Sequence, residues 1–141
     1  MISKQLMSLS ITPVKISESG SDALYYMDEY RVSFLPVTDG QLFIGLLSES
    51  EIFKLTDPDA PLSEQKPPYR MIYINENQHI FEVIKIMSTE KISILPVLDE
   101  NKILKGCITS NNLVEQFGKM TAIFNLGAII MLELNLNAFV L

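Results

Sequence analysis

Two spacings of apolar residues alternate along this chain, and the alternation runs through twice. Ala23, Met27 and Tyr30, with Leu24 beside them, recur at i, i+4 and i+7, which is one face of an α-helix that Asp22 is placed to cap. Before it, Pro13 leads into a short strand ending at Ile16, and residues 17–21 read as a turn. After it, residues 35–37 form a brief apolar run, Asp39-Gly40 is a hairpin pair, and residues 42–47 return as a second strand. Ser48 opens a further helix that buries Ile52 and Leu55 and stops before Asp57-Pro58. The plan then restarts. Residues 69–74 read as a strand, and Ile80, Val83, Ile84 and Met87 give i, i+3, i+4, i+7 spacing. Strands over 95–98 and 103–108 flank Asp99-Glu100-Asn101. Thr109 opens a helix with Leu113 and Phe117 on its buried face, and Gly118 suits its end.

The restart is a duplication. Val32-Ser33-Phe34-Leu35-Pro36-Val37 and Ile92-Ser93-Ile94-Leu95-Pro96-Val97 share one pattern at a shift of 60, which also sets Met27 on Met87 and Asp39 on Asp99. One insertion in the second turn brings Gly45 onto Gly106 and Ser48 onto Thr109. Ile16-Ser17-Glu18-Ser19 matches Ile74-Asn75-Glu76-Asn77 at a shift of 58, which predicts two residues gained before the second long helix. Residues 1–57 are the first repeat and 69–118 the second. Between them, residues 58–68 hold four of the seven prolines and have a linker composition. Two repeats of this size are marginal alone, so they are expected to share a core.

Composition narrows the function. A net charge of -6 argues against a broad nucleic-acid surface, which needs clustered Lys and Arg. One cysteine excludes an internal disulfide and fits a cytoplasmic location. The apolar segment over 122–134 contains Asn125 and Glu133 and is too short for a membrane span. With one histidine no Ser-His-Asp set assembles, and no phosphate-binding glycine loop is present, so an enzyme is not expected. His79 reads as a surface residue at a helix start, Cys107 as a small core residue, and Tyr25, Tyr26 and Tyr30 as packing or dimer contacts.

The order strand, helix, strand, strand, helix, repeated once with a leucine-proline-valine strand and a Gly-x-x-Ser/Thr turn, resembles the CBS domain pair, or Bateman module, over residues 1–118. The resemblance implies an α/β (α+β) fold in which tandem repeats pack as a pseudo-two-fold pair. It also implies clefts that bind AMP, ADP, ATP or S-adenosylmethionine as regulatory ligands with no required cofactor, and a homodimer. Residues 119–141 belong to neither repeat and resemble the start of a truncated ACT-like domain, a combination similar to the acetoin-utilisation regulatory proteins.

In that family the ligand turn reads Gly-x-x-Thr-x-x-Asp. The hydroxyl stands at a helix N-terminus, where free amides favour phosphate, and the aspartate accepts from the ribose. Here the turns read Gly45-Leu46-Leu47-Ser48-Glu49-Ser50-Glu51 and Gly106-Cys107-Ile108-Thr109-Ser110-Asn111-Asn112. Both hydroxyls are kept and both aspartates are replaced. Glu51 reaches a ribose only with an extra methylene, and Ser48 with Glu51 also has the spacing of a capping box. Asn112 offers a single uncharged acceptor. By the same resemblance Ser33, Phe34, Pro36, Ser93, Ile94 and Pro96 face the clefts, Ser50 and Asn111 flank the hydroxyls, and Thr12-Pro13 and Pro67-Pro68 approach the base edge. Arg31 and Lys91 are the matched cations. Two readings follow: a sensor of an adenosyl ligand that biases an attached domain, or a dimerisation platform with no ligand.

Overall fold

The computed structural model describes residues 1–121, and the tail proposed to begin an ACT-like domain lies almost wholly outside them. Each repeat contributes one three-stranded sheet. The first comprises β1 (Val14–Lys15), α2 (Gly20–Tyr30), β2 (Phe34–Asp39), β3 (Leu42–Ser48) and α3 (Glu49–Ile52), preceded by a short α1 (Ser3–Leu6). Next come α4 (Leu62–Gln65), then β4 (Ile74–Asn75), α5 (Ile80–Glu90), β5 (Ile94–Leu98), β6 (Leu104–Thr109) and α6 (Ser110–Thr121). In both sheets the first strand pairs parallel and the third antiparallel with the middle one, in the order β1-β2-β3 and β4-β5-β6.

The register corrects the duplication at one point. Val14 pairs with Val37 and Ile74 with Val97, so the first strands also correspond at a shift of 60. The match at 58 is a coincidence of composition, and no residues are gained before α5. Ser19, not Asp22, starts α2: its Oγ accepts from the Asp22 N–H while the Asp22 carboxylate accepts from the Ser19 N–H. His79 does the same work for α5, accepting at Nδ1 from the Phe81 N–H. The strand expected over 69–74 shortens to Ile74–Asn75, α3 ends at Ile52 before Leu55, and α6 runs through Gly118 to Thr121.

Strand alternation sends one face of each sheet to its own helices and the other across to the second repeat. Leu35, Val37 and Leu47 join Ala23, Met27 and Ile52 in the first core, while Leu95, Val97 and Ile108 join Val83, Met87 and Leu113 in the second. The opposite faces exchange partners. Leu46 is buried in the second repeat's cluster, and its counterpart Cys107, with Ile94, is buried in the first.

The backbone is exchanged as well. Near the N-terminus, Ser3 and Lys4 donate to the Gln78 and Glu76 carbonyls, Ile80 donates to Met1, and Ser8 bridges Cys107, so this stretch is fastened to the second repeat. Leu6 lies in that repeat's core. Conversely the segment with linker composition carries α4, whose Leu62 is fully buried in the first core. Leu62 and Ser63 donate to Glu18 and Ile16, and Arg70 bridges Leu46. Where each exchanged segment crosses a strand it meets a glycine. A Cβ on Gly45 would lie 2.4 Å from the Tyr69 Cβ, and one on Gly106 would lie 2.9 Å from the Ser8 carbonyl oxygen.

Gly45→Ala is therefore expected to lower unfolding stability by about 1–3 kcal/mol through overpacking. Gly118→Ala, in a helix with open space around the added methyl, should raise it by about 0.5–1 kcal/mol. Urea unfolding of the two variants checks both signs.

Candidate functional site

Two clefts open at the starts of α3 and α6, and the same backbone device builds both. The Glu49 N–H donates to the Ser33 carbonyl at 2.9 Å, and the Ser110 N–H donates to the Ser93 carbonyl at 3.0 Å. Each bond ties the first residue of a helix to the residue before a middle strand, which sets Ser33 beside Ser48 and Ser93 beside Thr109. The first cleft, about 370 Å³, is lined by Ser33, Phe34, Ser48, Glu49, Ser50 and Phe53. The second, about 330 Å³, joins Ile11, Tyr30, Arg31 and Val32 to Ser93, Thr109, Ser110 and Asn111, so both repeats form its wall.

The hydroxyls differ in how far capping uses them. Thr109 Oγ1 accepts from the Asn112 N–H at 3.0 Å, and Asn112 Oδ1 accepts from the Thr109 N–H at 2.9 Å, a complete capping box. In the first repeat only half of it forms. Ser48 Oγ accepts from the Glu51 N–H at 3.2 Å and lies 3.1 Å from Ser50 Oγ, while the Glu51 carboxylate pairs with Lys54 at 3.4 Å. The box foreseen for Ser48 and Glu51 is thus found at Thr109 and Asn112. The Oγ of Ser110, by contrast, is buried without a hydrogen-bond partner among the described residues, a state that costs free energy until a donor or acceptor reaches it.

Thr12 is exposed and donates its N–H to Tyr30 Oη at 3.2 Å, beside the second cleft. Pro13 lines a smaller adjoining cavity of about 150 Å³ with Leu104, Lys105 and Gly106. Pro67 and Pro68 line a third hollow with Glu51 and Lys54. Thr12-Pro13 and Pro67-Pro68 therefore each stand by the Gly-x-x-Ser/Thr turn of the repeat they do not enter. Pro36, Ile94 and Pro96 are buried and line neither cleft.

Sequence reasoning did not single out Phe53, Arg70 or Ser110. Phe53 is 69% exposed at the mouth of the first cleft. Arg70 stands over the Phe34 ring at 5.6 Å and pairs with Glu90 at 3.1 Å. No motif surrounds Arg70, and only the crossing at Leu46 brings it there. Arg31 and Lys91 cap α2 and α5 with the same left-handed backbone, φ 55 and ψ 49. Arg31 lines the second cleft, borders a small cavity with Asp28 and Glu49, and makes no ion pair among the described residues.

A family model for the CBS domain matches residues 3–64 and 66–119. Among curated relatives, an inosine-5'-monophosphate dehydrogenase of Helicobacter pylori is 29% identical over 118 residues, covering 73% of this chain and 24% of the relative. The chain thus spans about a quarter of that enzyme's length. Solved structures that share the fold include these three. A CBS domain pair/ACT domain protein of Thermotoga maritima has a TM-score of 0.73 at 21% identity, covering 85% of this chain and 98% of that one. An acetoin utilization protein of Vibrio cholerae has a TM-score of 0.73 at 18% identity, covering 87% and 94%. CBSX2, solved in complex with AMP, has a TM-score of 0.72 at 21% identity, covering 85% and 98%.

Burial pushes the Cys107 thiol up from 9.0 to about 12. Because the folded state holds the neutral form, its stability is unaffected below pH 9 and falls as pH rises towards 12, by up to about 1.4 kcal/mol per unit. Unfolding midpoints measured across this range should show that loss, and Cys107→Ala should remove this part of it.

Proposed function

The chain belongs to the CBS domain family, and on that premise we propose that it is a regulatory module that binds an adenine nucleotide or related adenosyl ligand and passes the binding on to an attached domain. One observation carries the reading: the second cleft brings Arg31, which makes no ion pair among the described residues, and Ser110, whose buried Oγ has no hydrogen-bond partner among them, to the start of a twelve-residue helix. Helix N-termini favour anions through free amides and the dipole. Thr109, Asn111 and Ser93 supply further polar groups, and Thr12 and Pro13 border the same region. The AMP complex of CBSX2 supports the ligand class. Regulation follows if the ligand favours one packing of the two repeats over another, since only differential affinity shifts an equilibrium.

The proposal includes a homodimer in the cytoplasm, with repeats over 1–57 and 69–118. Tyr25 on α2 and Phe81 on α5 are 62% and 72% exposed, which suits helix faces that meet a second copy. Among the described residues no helix is long and apolar enough to cross a membrane. The second reading, a dimerisation platform without ligand, is favoured by the capping of Thr109 by Asn112 and the pairing of Glu51 with Lys54, which occupy both ribose acceptors.

Thermal-shift titration against AMP, ADP, ATP and S-adenosylmethionine separates the two. A ligand at 100 times its dissociation constant adds about 2.7 kcal/mol, roughly several degrees in midpoint. Saturable stabilisation by one of them is the expected result. A flat response to all four at millimolar concentration leaves the platform. Asn112→Asp keeps the cap while adding a charged acceptor, so it should stabilise α6 by about 0.3–1 kcal/mol and tighten the adenosyl ligand.

A further inference from the structure

The two long helices bury matching positions, Ala23 and Met27 on α2 and Val83 and Met87 on α5, but the faces they leave to solvent differ. On α2, Tyr25 is exposed with Asp22 one turn before it and Asp28 and Glu29 one turn after, all three exposed as well. Residues three and four apart share a helix face, so this ring stands among carboxylates. At the duplication shift of 60, Lys85 of α5 takes the place of Tyr25, and uncharged Ser88 and Thr89 take those of Asp28 and Glu29. The exposed ring of α5 is Phe81, one turn before Lys85. Tyr25 packs edge-on to Tyr26 at 6.0 Å and Phe81 tilts over His79 at 4.7 Å, so each ring is held in place while it remains exposed. Glu82 matches Asp22, whose carboxylate accepts from the Ser19 N–H, and Asp28 also borders the small cavity with Arg31 and Glu49. Asp28, Glu29 and Lys85 make no ion pair among the described residues.

The neighbouring helices continue the contrast. α3 packs against α2 and adds Glu49 and Glu51 in its first turn, with Phe53 exposed after them, although Lys54 pairs with Glu51. α6 has no acidic residue in its first turn, and its exposed Glu115 stands one turn before Lys119. Arg31 and Lys91 end α2 and α5 alike and do not distinguish them. The first repeat thus turns to solvent a ring set among carboxylates, and the second a ring set beside a lysine. Aromatic rings left exposed within a polar rim mark interaction surfaces. These two faces complement each other, which makes a second copy of the chain the occupant that charge fits.

Two copies related by a two-fold axis join either like faces or unlike ones. Like faces would set Asp28 and Glu29 against themselves and Lys85 against Lys85. Unlike faces set those carboxylates against Lys85, and Tyr25 against Phe81, at two places related by the axis. Exposed ion pairs add little, whereas like charges brought face to face are costly, so the avoided repulsion decides the order. We propose that the helix faces take a second copy head to tail: the first-repeat helices of each copy cover the second-repeat helices of the other, with Tyr25, Asp28 and Glu29 against Phe81 and Lys85. The proposal rests on the homodimer reading given above and adds the order of the copies, which that reading leaves open.

Sedimentation equilibrium of the full chain measures the dimer, with circular dichroism to verify folding, and cysteine cross-linking with a short bismaleimide reads its order. Cys107 is buried and does not compete. Tyr25→Cys alone and Phe81→Cys alone should give no cross-linked dimer, and an equal mixture of the two should give one. Lys85→Glu should weaken the dimer about tenfold or more, and adding Asp28→Lys and Glu29→Lys to the same chain should recover it. Tyr25→Cys that cross-links to itself, with no product joining positions 25 and 81 in the mixture, would overturn the order and leave the homodimer standing. A Lys85→Glu chain as dimeric as the wild type, or an exchange of charges that recovers nothing, would overturn the part assigned to charge. A wild type that sediments as a monomer at every concentration removes the homodimer reading and the order with it.

Discussion

The structure depends on two places where a backbone passes over a strand that has no side chain to oppose it. At Gly45 the segment leading to Arg70 crosses β3, and at Gly106 the segment after α1 crosses β6. Close approach of this kind requires glycine, because any Cβ would meet backbone or a Cβ within 3 Å. The crossings let each repeat receive a short helix from outside its own run of strands, α1 for the second and α4 for the first. Leu6 and Leu62 are buried by that exchange, at 2% and 0% exposure. Neither repeat closes its core from its own strands and long helices alone.

The clefts are a consequence. Once the crossings fix the sheets against each other through Leu46, Ile94 and Cys107, the starts of α3 and α6 stand beside the segments that arrive from the other repeat. Thr12 and Pro13 come to the second cleft's edge and Arg70 to the first by the same route. The second cleft is lined by residues of both repeats, the first by residues of its own. The glycine of the Gly-x-x-Ser/Thr turn therefore has a structural task three residues ahead of the hydroxyl it accompanies.

Much of this was legible in the residues. Period-3.6 apolar spacing located α2 and α5, and the leucine-proline-valine run located β2 and β5, because local pattern and final burial agree there. What a repeat borrows from elsewhere was not legible. The prolines around α4 have the composition of a linker, and nothing near Leu62 signals that it fills a core some 40 positions earlier in the chain. Sequence placed the Gly-x-x-Ser/Thr turns at helix starts, at Ser48 and Thr109, but the cap partners are local geometry: Glu51 turns to Lys54 while Asn112 closes on Thr109. Arg70 and Ser110 escaped notice because a lone cation and a lone hydroxyl acquire meaning only from what the fold sets beside them.

The central claim is that exchange across the crossings makes the two repeats one cooperative unit, and native-state hydrogen exchange tests it most directly. Slow amides in β2 and β5 should open with a single free energy equal to that of global unfolding, and Gly45→Ala, although it lies in the first repeat, should lower protection in both sheets equally. Two distinct opening free energies, with the loss confined to β1, β2 and β3, would show that the repeats fold independently and would contradict the account.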